Sequence, residues 1–206
     1  KNVSGSVPSI ITIDSSVIPA VLTDRISYEG NLPTTPQTSA YLAGGSDLLD
    51  ASLTKASTGA APDAVPAPQV VGVDTISADD EVNFLNSSIA GEAITVYNSS
   101  GTPVNVQMRW AKTFEDDGSQ GDTWSLYYLS DSDATGTDPK WTKVSDAQFG
   151  ADGRMAIPAT SNMTMTGLTV DGQSVGDVTL DFGTNALTQF ADSNGAAKIS
   201  KLRQNG

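Results

Sequence analysis

The chain has 206 residues and a formal net charge of −13, and it contains neither cysteine nor histidine. Without those two residue types, thiol nucleophiles, disulfides, histidine-based triads and the usual zinc sites are excluded. An acidic surface repels phosphate backbones and anionic lipid, and no run of about 18 apolar residues occurs, so we expect neither nucleic acid nor a membrane as a partner. Only 38% of the residues are hydrophobic and 17% charged, a profile that favours short strands joined by turns.

The region from residue 34 to residue 85 differs in composition from its surroundings. Thr, Ser, Ala, Gly and Pro dominate it, with scattered Leu, and it carries no recognisable motif. Residues 55–68 (KASTGAAPDAVPAP) predict a long surface loop. Residues 46–55 predict a short helix whose N-cap is Ser46 or Asp47. We therefore expect 34–85 to be an insertion in a β domain.

Strand patterns occur on both sides of this region. Residues 104–110 alternate apolar and polar side chains, with Val104, Val106, Met108 and Trp110 on one face, as in a sheet with one wet side. Further strands are predicted at 25–29, 93–97, 123–129, 141–144, 154–157, 163–170, 175–182 and 196–202. About ten strands at hairpin spacing, without a convincing helix pattern, predict an all-β fold. The expected architecture is an antiparallel β-sandwich or a barrel-like domain with long polar loops.

Acidic loops are the only material for catalysis or metal binding. One loop carries Asp116, Asp117 and Asp122, and the next carries Asp131, Asp133 and Asp138. Neither matches the twelve-residue calcium pattern, so solvated hairpin loops are the better interpretation. A glycosidase needs two carboxylates across a sugar cleft, and the sequence singles out no such pair. We assign no catalytic, cofactor-binding or metal-binding residue, and we expect no cofactor and no enzyme activity.

The three tryptophans allow two interpretations. Aromatic faces can stack on sugar rings, which would make a carbohydrate platform of Trp110, Trp124 and Trp141. Trp110 and Trp124 lie in alternating strands whose apolar face is expected to be core, so core packing is favoured for both. For Trp141 the two interpretations are equally weighted.

Four segments of the chain carry specific motifs, in the order 94–104 (ITVYNSSGTPV), 124–127 (WSLY), 178–190 and 201–206. In this order they resemble the flagellar hook proteins of bacteria. The first is similar to the family's "TVYDSxG" hairpin and the second to its "W-x-x-Y" strand. The segments 178–190 and 201–206 look like its "L-x-F…TQ-(F/Y)" segment and its "QNG" ending, and Asn98 stands where Asp is common. The residues that carry the resemblance are Val96, Tyr97, Ser99, Gly101, Trp124, Tyr127, Phe182, Thr188, Gln189, Phe190, Gln204, Asn205 and Gly206.

The resemblance implies a structural, non-enzymatic domain on the outside of the flagellar hook, the flexible tube that transmits motor torque to the filament. It implies export by the flagellar type III pathway, a location in the flagellum at the cell exterior, and other hook subunits in a helical tube as partners. We expect residues 1–24 to lead in from a preceding inner domain and 25–206 to form the outer β domain. The family's tube-forming helices are absent, so the chain is expected to be a monomeric piece of a longer subunit. The alternative is an extracellular adhesin or carbohydrate-binding β module.

Overall fold

The computed structural model describes residues 21–50, 52–53, 75–118 and 121–206. This part of the chain contains two short helices, α1 (Ser39–Leu42) and α2 (Glu81–Asn86). Its strands are β1 (Arg25–Leu32), β2 (Thr75–Ser77), β3 (Ile89–Tyr97), β4 (Pro103–Phe114), β5 (Thr123–Leu129), β6 (Pro139–Phe149), β7 (Met155–Ile157), β8 (Asn162–Val170), β9 (Gln173–Asp181), β10 (Leu187–Gln189) and β11 (Lys198–Gln204). No helix within these ranges has the length and apolar character needed to cross a membrane.

The strands form two open sheets, so the all-β prediction is confirmed as a sandwich. In the five-stranded sheet, β1 pairs with β11 on one side, and on the other side with β9 near its beginning and with β10 near its end. The pairings of β1 with β9 and β10 are parallel, whereas the other pairings of named strands are antiparallel. The six-stranded sheet has the order β2-β6-β5-β4-β3, with β7 paired to β6.

The main core lies between the two sheets and follows the predicted alternation. Along β4, Val104, Val106, Met108 and Trp110 are buried, whereas the intervening side chains are exposed or half-buried. Trp110 meets the edge of Tyr28 with ring centroids 6.3 Å apart. Burying such large aromatic side chains removes roughly 150–250 Å² of each from water, so this core is the principal source of stability.

A second, smaller core covers part of the outer face of the six-stranded sheet, around β5. Phe84 of α2 packs on Tyr127 and Trp141, with ring centroids 5.0 and 5.3 Å away. The other buried members of this layer are Leu49, Leu53, Ile76 and Ala111. Because β5 is covered on both faces, five consecutive residues of that strand are buried. The solvent-exposed face predicted for this sheet is therefore found along the first part of β4 but not along β5, where the second core covers it.

The helix predicted at 46–55 is wrong for the described residues of that range. The helical turn lies earlier, in α1, where the Thr38 side chain accepts a hydrogen bond from the Tyr41 N–H. Ser46 Oγ instead accepts from the backbone N–H of Leu48, a local turn that competes with helix formation. The loop predicted at 55–68 lies outside the described residues.

Candidate functional site

Three separate parts of the chain meet around the buried side chain of Thr23. The Thr23 N–H donates to the Tyr97 carbonyl at 2.9 Å, and the Tyr97 N–H donates to Thr23 Oγ1 at 3.0 Å. The same hydroxyl donates to Gln204 Oε1 at 3.2 Å. Tyr97 and Gln204 lie at opposite ends of the predicted signature, and the fold joins them through a threonine that sequence reasoning did not select.

Asn205 and Gly206 complete this arrangement. Asn205 Oδ1 accepts from the N–H groups of Asp24 and Arg25 at 3.2 and 3.1 Å, and its Nδ2 donates to Asp24 Oδ1 at 2.7 Å. The Gly206 N–H donates to the Gln204 side chain, and a β-carbon on Gly206 would collide with Thr23 Oγ1. We call the set the Thr23 clasp; it consists of Thr23, Asp24, Tyr97, Gln204, Asn205 and Gly206.

The hairpin between β3 and β4 supplies the next part of the signature. Asn98 Oδ1 accepts from the N–H groups of Ser100 and Thr102, both at 2.9 Å. Gly101 has a φ of +76°, a conformation that glycine adopts without strain, and Ser99 is exposed at the tip. An aspartate would offer the same acceptor oxygen, so the departure from the family pattern at position 98 preserves the turn.

Three members of the signature, Val96, Trp124 and Phe182, lie in the main core between the sheets, and Tyr127 lies in the second core. Trp124, Tyr127 and Phe182 are at most 1% exposed, and Phe182 meets the edge of Tyr28 at 5.8 Å. The third tryptophan, Trp141, is 2% exposed and belongs to the second core. The interpretation of the three tryptophans as a sugar platform is therefore wrong, because none presents a ring face to solvent.

A buried lysine joins the two sheets and the segment after β1. Lys112 is 2% exposed, and its Nζ lies 3.1 Å from Asp122 Oδ2 and 3.3 Å from Asp47 Oδ2. The same ammonium donates to the Thr34 carbonyl at 2.9 Å, and Gln189 Nε2 donates to Asp122 Oδ2 at 2.7 Å. We call these five residues the Lys112 junction. Sequence reasoning missed it, although Lys112 follows Trp110 and Ala111 in the buried part of β4.

The two acidic loops use their carboxylates to hold the local backbone and the junction. Asp122 Oδ1 accepts from the Asp116 N–H at 2.7 Å while its other oxygen binds the Lys112 junction. In the second loop, Asp131 Oδ1 accepts from the Asp133 N–H at 3.0 Å. Within the described ranges, no group of three or more acidic side chains is arranged to hold a metal ion.

Three consecutive side chains at β10, Thr188, Gln189 and Phe190, lie in different environments. Thr188 Oγ1 donates to Asn31 Oδ1 at 3.0 Å, and Gln189 turns inward to the Lys112 junction. Phe190 donates its N–H to Asn31 Oδ1 at 2.8 Å, yet its ring is 51% exposed. The Phe190 ring lies over Gly153, whose φ is +73°. A β-carbon at position 153 would collide with that ring.

The signature thus occupies a core, a turn and a hydrogen-bonded clasp and does not converge on a pocket. Such an arrangement defines a structural β-sandwich domain. The family described as "Flagellar basal body protein FlaE D2 domain" matches residues 51–206, and the chain belongs to this family. It is therefore a structural domain of a flagellar hook subunit, and the family implies assembly with other hook subunits in a polymer. No curated protein matches the sequence significantly.

Proposed function

We propose that this domain forms the outer surface of the hook at the cell exterior and that it transmits motor torque as a rigid body. The Thr23 clasp is the observation that carries the proposal. The clasp holds residues 23–25 against residues 204–206. The two segments therefore leave the sandwich side by side, at one corner of the domain. A rigid body attached at one corner follows the motion of that corner as a unit, so torque would pass on through its surface contacts with neighbouring subunits.

The packing of the domain supports rigidity. The central strand β5 is buried on both faces by the two cores, and the Lys112 junction ties the segment after β1 to both sheets. Protein interiors at such density resist compression and pass strain on. The polar, acidic surface suits a body that contacts its neighbours through modest interfaces and slides past them as the tube bends.

The test uses the full-length hook gene in a strain that lacks it. Replacing residues 25–204 by a flexible Gly-Ser linker should leave a tube that transmits torque poorly, read as lost swimming and as a lower torsional stiffness of hooks in a tethered-bead assay. Swimming and stiffness equal to those of the unmodified hook would overturn the proposal.

The clasp itself is tested by a substitution matched with a control. Asn205→Ala removes three hydrogen bonds of the clasp and should lower the torsional stiffness of assembled hooks. Asn194→Ala makes the same chemical change at an exposed asparagine whose side chain has no hydrogen bond within the described ranges, and it should leave stiffness unchanged. Equal effects of the two substitutions would show that the clasp does not fix the domain.

A further inference from the structure

Two asparagines of the chain are followed directly by glycine, Asn194 before Gly195 and Asn205 before Gly206. This order of residues is the one most prone to deamidation, because glycine has no side chain to hinder its backbone nitrogen. That nitrogen gives up its proton and attacks Cγ of the asparagine, Nδ2 leaves as ammonia, and a cyclic succinimide forms. Water then opens the ring to aspartate or isoaspartate. The chain therefore has two candidate sites for this modification.

At the first site the side chain that reacts is free. Asn194 is exposed, and within the described ranges only its backbone N–H is bound, to Asp192 Oδ1 at 2.9 Å. The Gly195 N–H donates to the Asp192 carbonyl at 3.1 Å. Of the reacting groups, only the attacking nitrogen is therefore held by a hydrogen bond.

At the second site the clasp binds both ends of the carboxamide, although Asn205 is exposed too. Its Oδ1 accepts from the N–H groups of Asp24 and Arg25, and its Nδ2 donates to Asp24 Oδ1 at 2.7 Å. The attacking nitrogen is also engaged, because the Gly206 N–H donates to the Gln204 side chain. Attack makes Cγ tetrahedral and expels Nδ2, so these hydrogen bonds must break before the reaction can proceed.

The clasp itself requires this reactive pair. A β-carbon at position 206 would collide with Thr23 Oγ1 and lie 3.0 Å from the Val21 carbonyl oxygen, so glycine is needed there. The side chain before it must accept from two backbone N–H groups and donate to a carboxylate, which an amide can do and an ionised aspartate cannot. The fold thus places a labile pair at this corner and restrains it with the same contacts.

We propose that Asn205 is a deamidation site that the closed clasp protects, and that the deamidated clasp closes less well. The reaction replaces Nδ2, a donor, by a negatively charged oxygen that faces Asp24 Oδ1, and two carboxylates so close repel each other. The isoaspartate product also adds a methylene to the backbone, which displaces Gly206 from its place beside Thr23. Opening of the clasp permits the reaction, and the product then favours the open clasp. The inference goes beyond the torque role and does not depend on it.

Peptide mass spectrometry of the full-length subunit tests the protection. Deamidation at both asparagines is followed in one sample, in mildly alkaline buffer and again in concentrated guanidinium chloride. The rate in denaturant divided by the rate in buffer gives a protection factor for each site. We expect this factor to be about tenfold larger for Asn205 than for Asn194, because more hydrogen bonds have to break there.

Two results of this measurement would overturn the proposal. Equal protection factors at Asn194 and Asn205 would show that the clasp does not restrain the reaction. A faster reaction of Asn205 in buffer than in denaturant would show that the N–H groups bound to its Oδ1 activate the carbonyl for attack.

A substitution in the clasp, matched with a control, connects the protection to its cause. Asp24→Ala removes the acceptor of Nδ2 and should lower the protection factor of Asn205 several-fold, while that of Asn194 stays unchanged. Asp79→Ala makes the same change at an exposed aspartate whose side chain has no hydrogen bond within the described ranges, and it should alter neither factor. The factor at Asn194 also shows whether each variant is folded. An unchanged factor at Asn205 in the folded Asp24→Ala protein would overturn the protection by the clasp.

An exchange of the two side chains tests the effect of the product. Asn205→Asp should accelerate amide exchange at residues 24 and 25, whereas Asn205→Asp combined with Asp24→Asn places a donor opposite the new carboxylate and should restore slow exchange. Exchange as slow in Asn205→Asp as in the unmodified subunit would show that the clasp tolerates two carboxylates and would overturn the second half of the proposal. Neither readout involves swimming or hook stiffness, so a failure here and a failure of the torque role are recorded separately.

Discussion

Tyr28 makes a buried hydrogen-bonded bridge across the main core, and Tyr28→Phe removes it without changing the shape of the ring. The hydroxyl donates to the Gly91 carbonyl and accepts from Trp110 Nε1, both at 2.9 Å, and Tyr28 itself is fully buried. The substitution leaves one buried N–H and one buried carbonyl without a partner. Each such group costs about 1–3 kcal/mol, so we expect the free energy of unfolding to fall by about 3 kcal/mol.

The assay is urea unfolding followed by tryptophan fluorescence, with Tyr41→Phe as the control. Tyr41 is 39% exposed, and the same loss of a hydroxyl there should change the free energy of unfolding by less than about 0.5 kcal/mol. A loss below about 1 kcal/mol for Tyr28→Phe would refute the reasoning, because it would mean that the two orphaned groups find other partners.

The same substitution predicts a pH dependence. Burial, as the largest effect, raises the pKa of Tyr28 well above its ordinary value of 10.0. The folded state therefore keeps the phenol protonated where the unfolded chain ionises, so the stability present below pH 10 is lost as pH rises above it. Between about pH 8 and about pH 11 the free energy of unfolding of the unmodified chain should fall by about 1.4 kcal/mol because of this group. Tyr28→Phe has no phenol and should not show this fall. A constant difference between the two proteins over that range would contradict the burial argument.

Three other substitutions test the remaining contacts. Lys112→Ala leaves Asp122 without its buried cation and should lower the free energy of unfolding by about 3 kcal/mol in urea titrations; an unchanged midpoint would mean that water replaces the ammonium. Gly153→Ala combines a positive φ with a collision against Phe190, so the melting temperature should fall, and a stable variant would refute the collision. Asn205→Ala should accelerate amide exchange at residues 24 and 25, whereas unchanged exchange would argue that their N–H groups need no side-chain acceptor.

Strands were predicted well where the local run of apolar and strand-favouring side chains is long, whether or not it alternates. The strand predicted at 123–129 has the bounds of β5, and the apolar face predicted for 104–110 is the buried face of β4. Of the three strands with only three residues, β7 falls within the range predicted at 154–157, whereas β2 and β10 were not predicted. Strands so short are set largely by the partners they meet and carry little pattern of their own. Their existence is a property of the tertiary fold.

The second core and the clasp were missed for a related reason. Trp141 is covered by Phe84, which is distant in sequence, and no local pattern indicates that the two meet. Thr23 likewise gains its role from Tyr97 and Gln204, both far along the chain. A motif comparison could mark those two positions, but only the fold shows that they bind the same hydroxyl.

The pairing of Asp24 with Asn205 also makes the sandwich a transferable module. Within the described residues the first and last strands, β1 and β11, are antiparallel neighbours, and the clasp keeps their outer ends within hydrogen-bonding distance. Domains with adjacent ends are tolerated as insertions, since the host needs to open by only a few ångströms to accept them. One such domain can therefore replace another in a host protein. The exchange changes the exposed surface of the host and leaves the backbone on either side of the insertion unchanged.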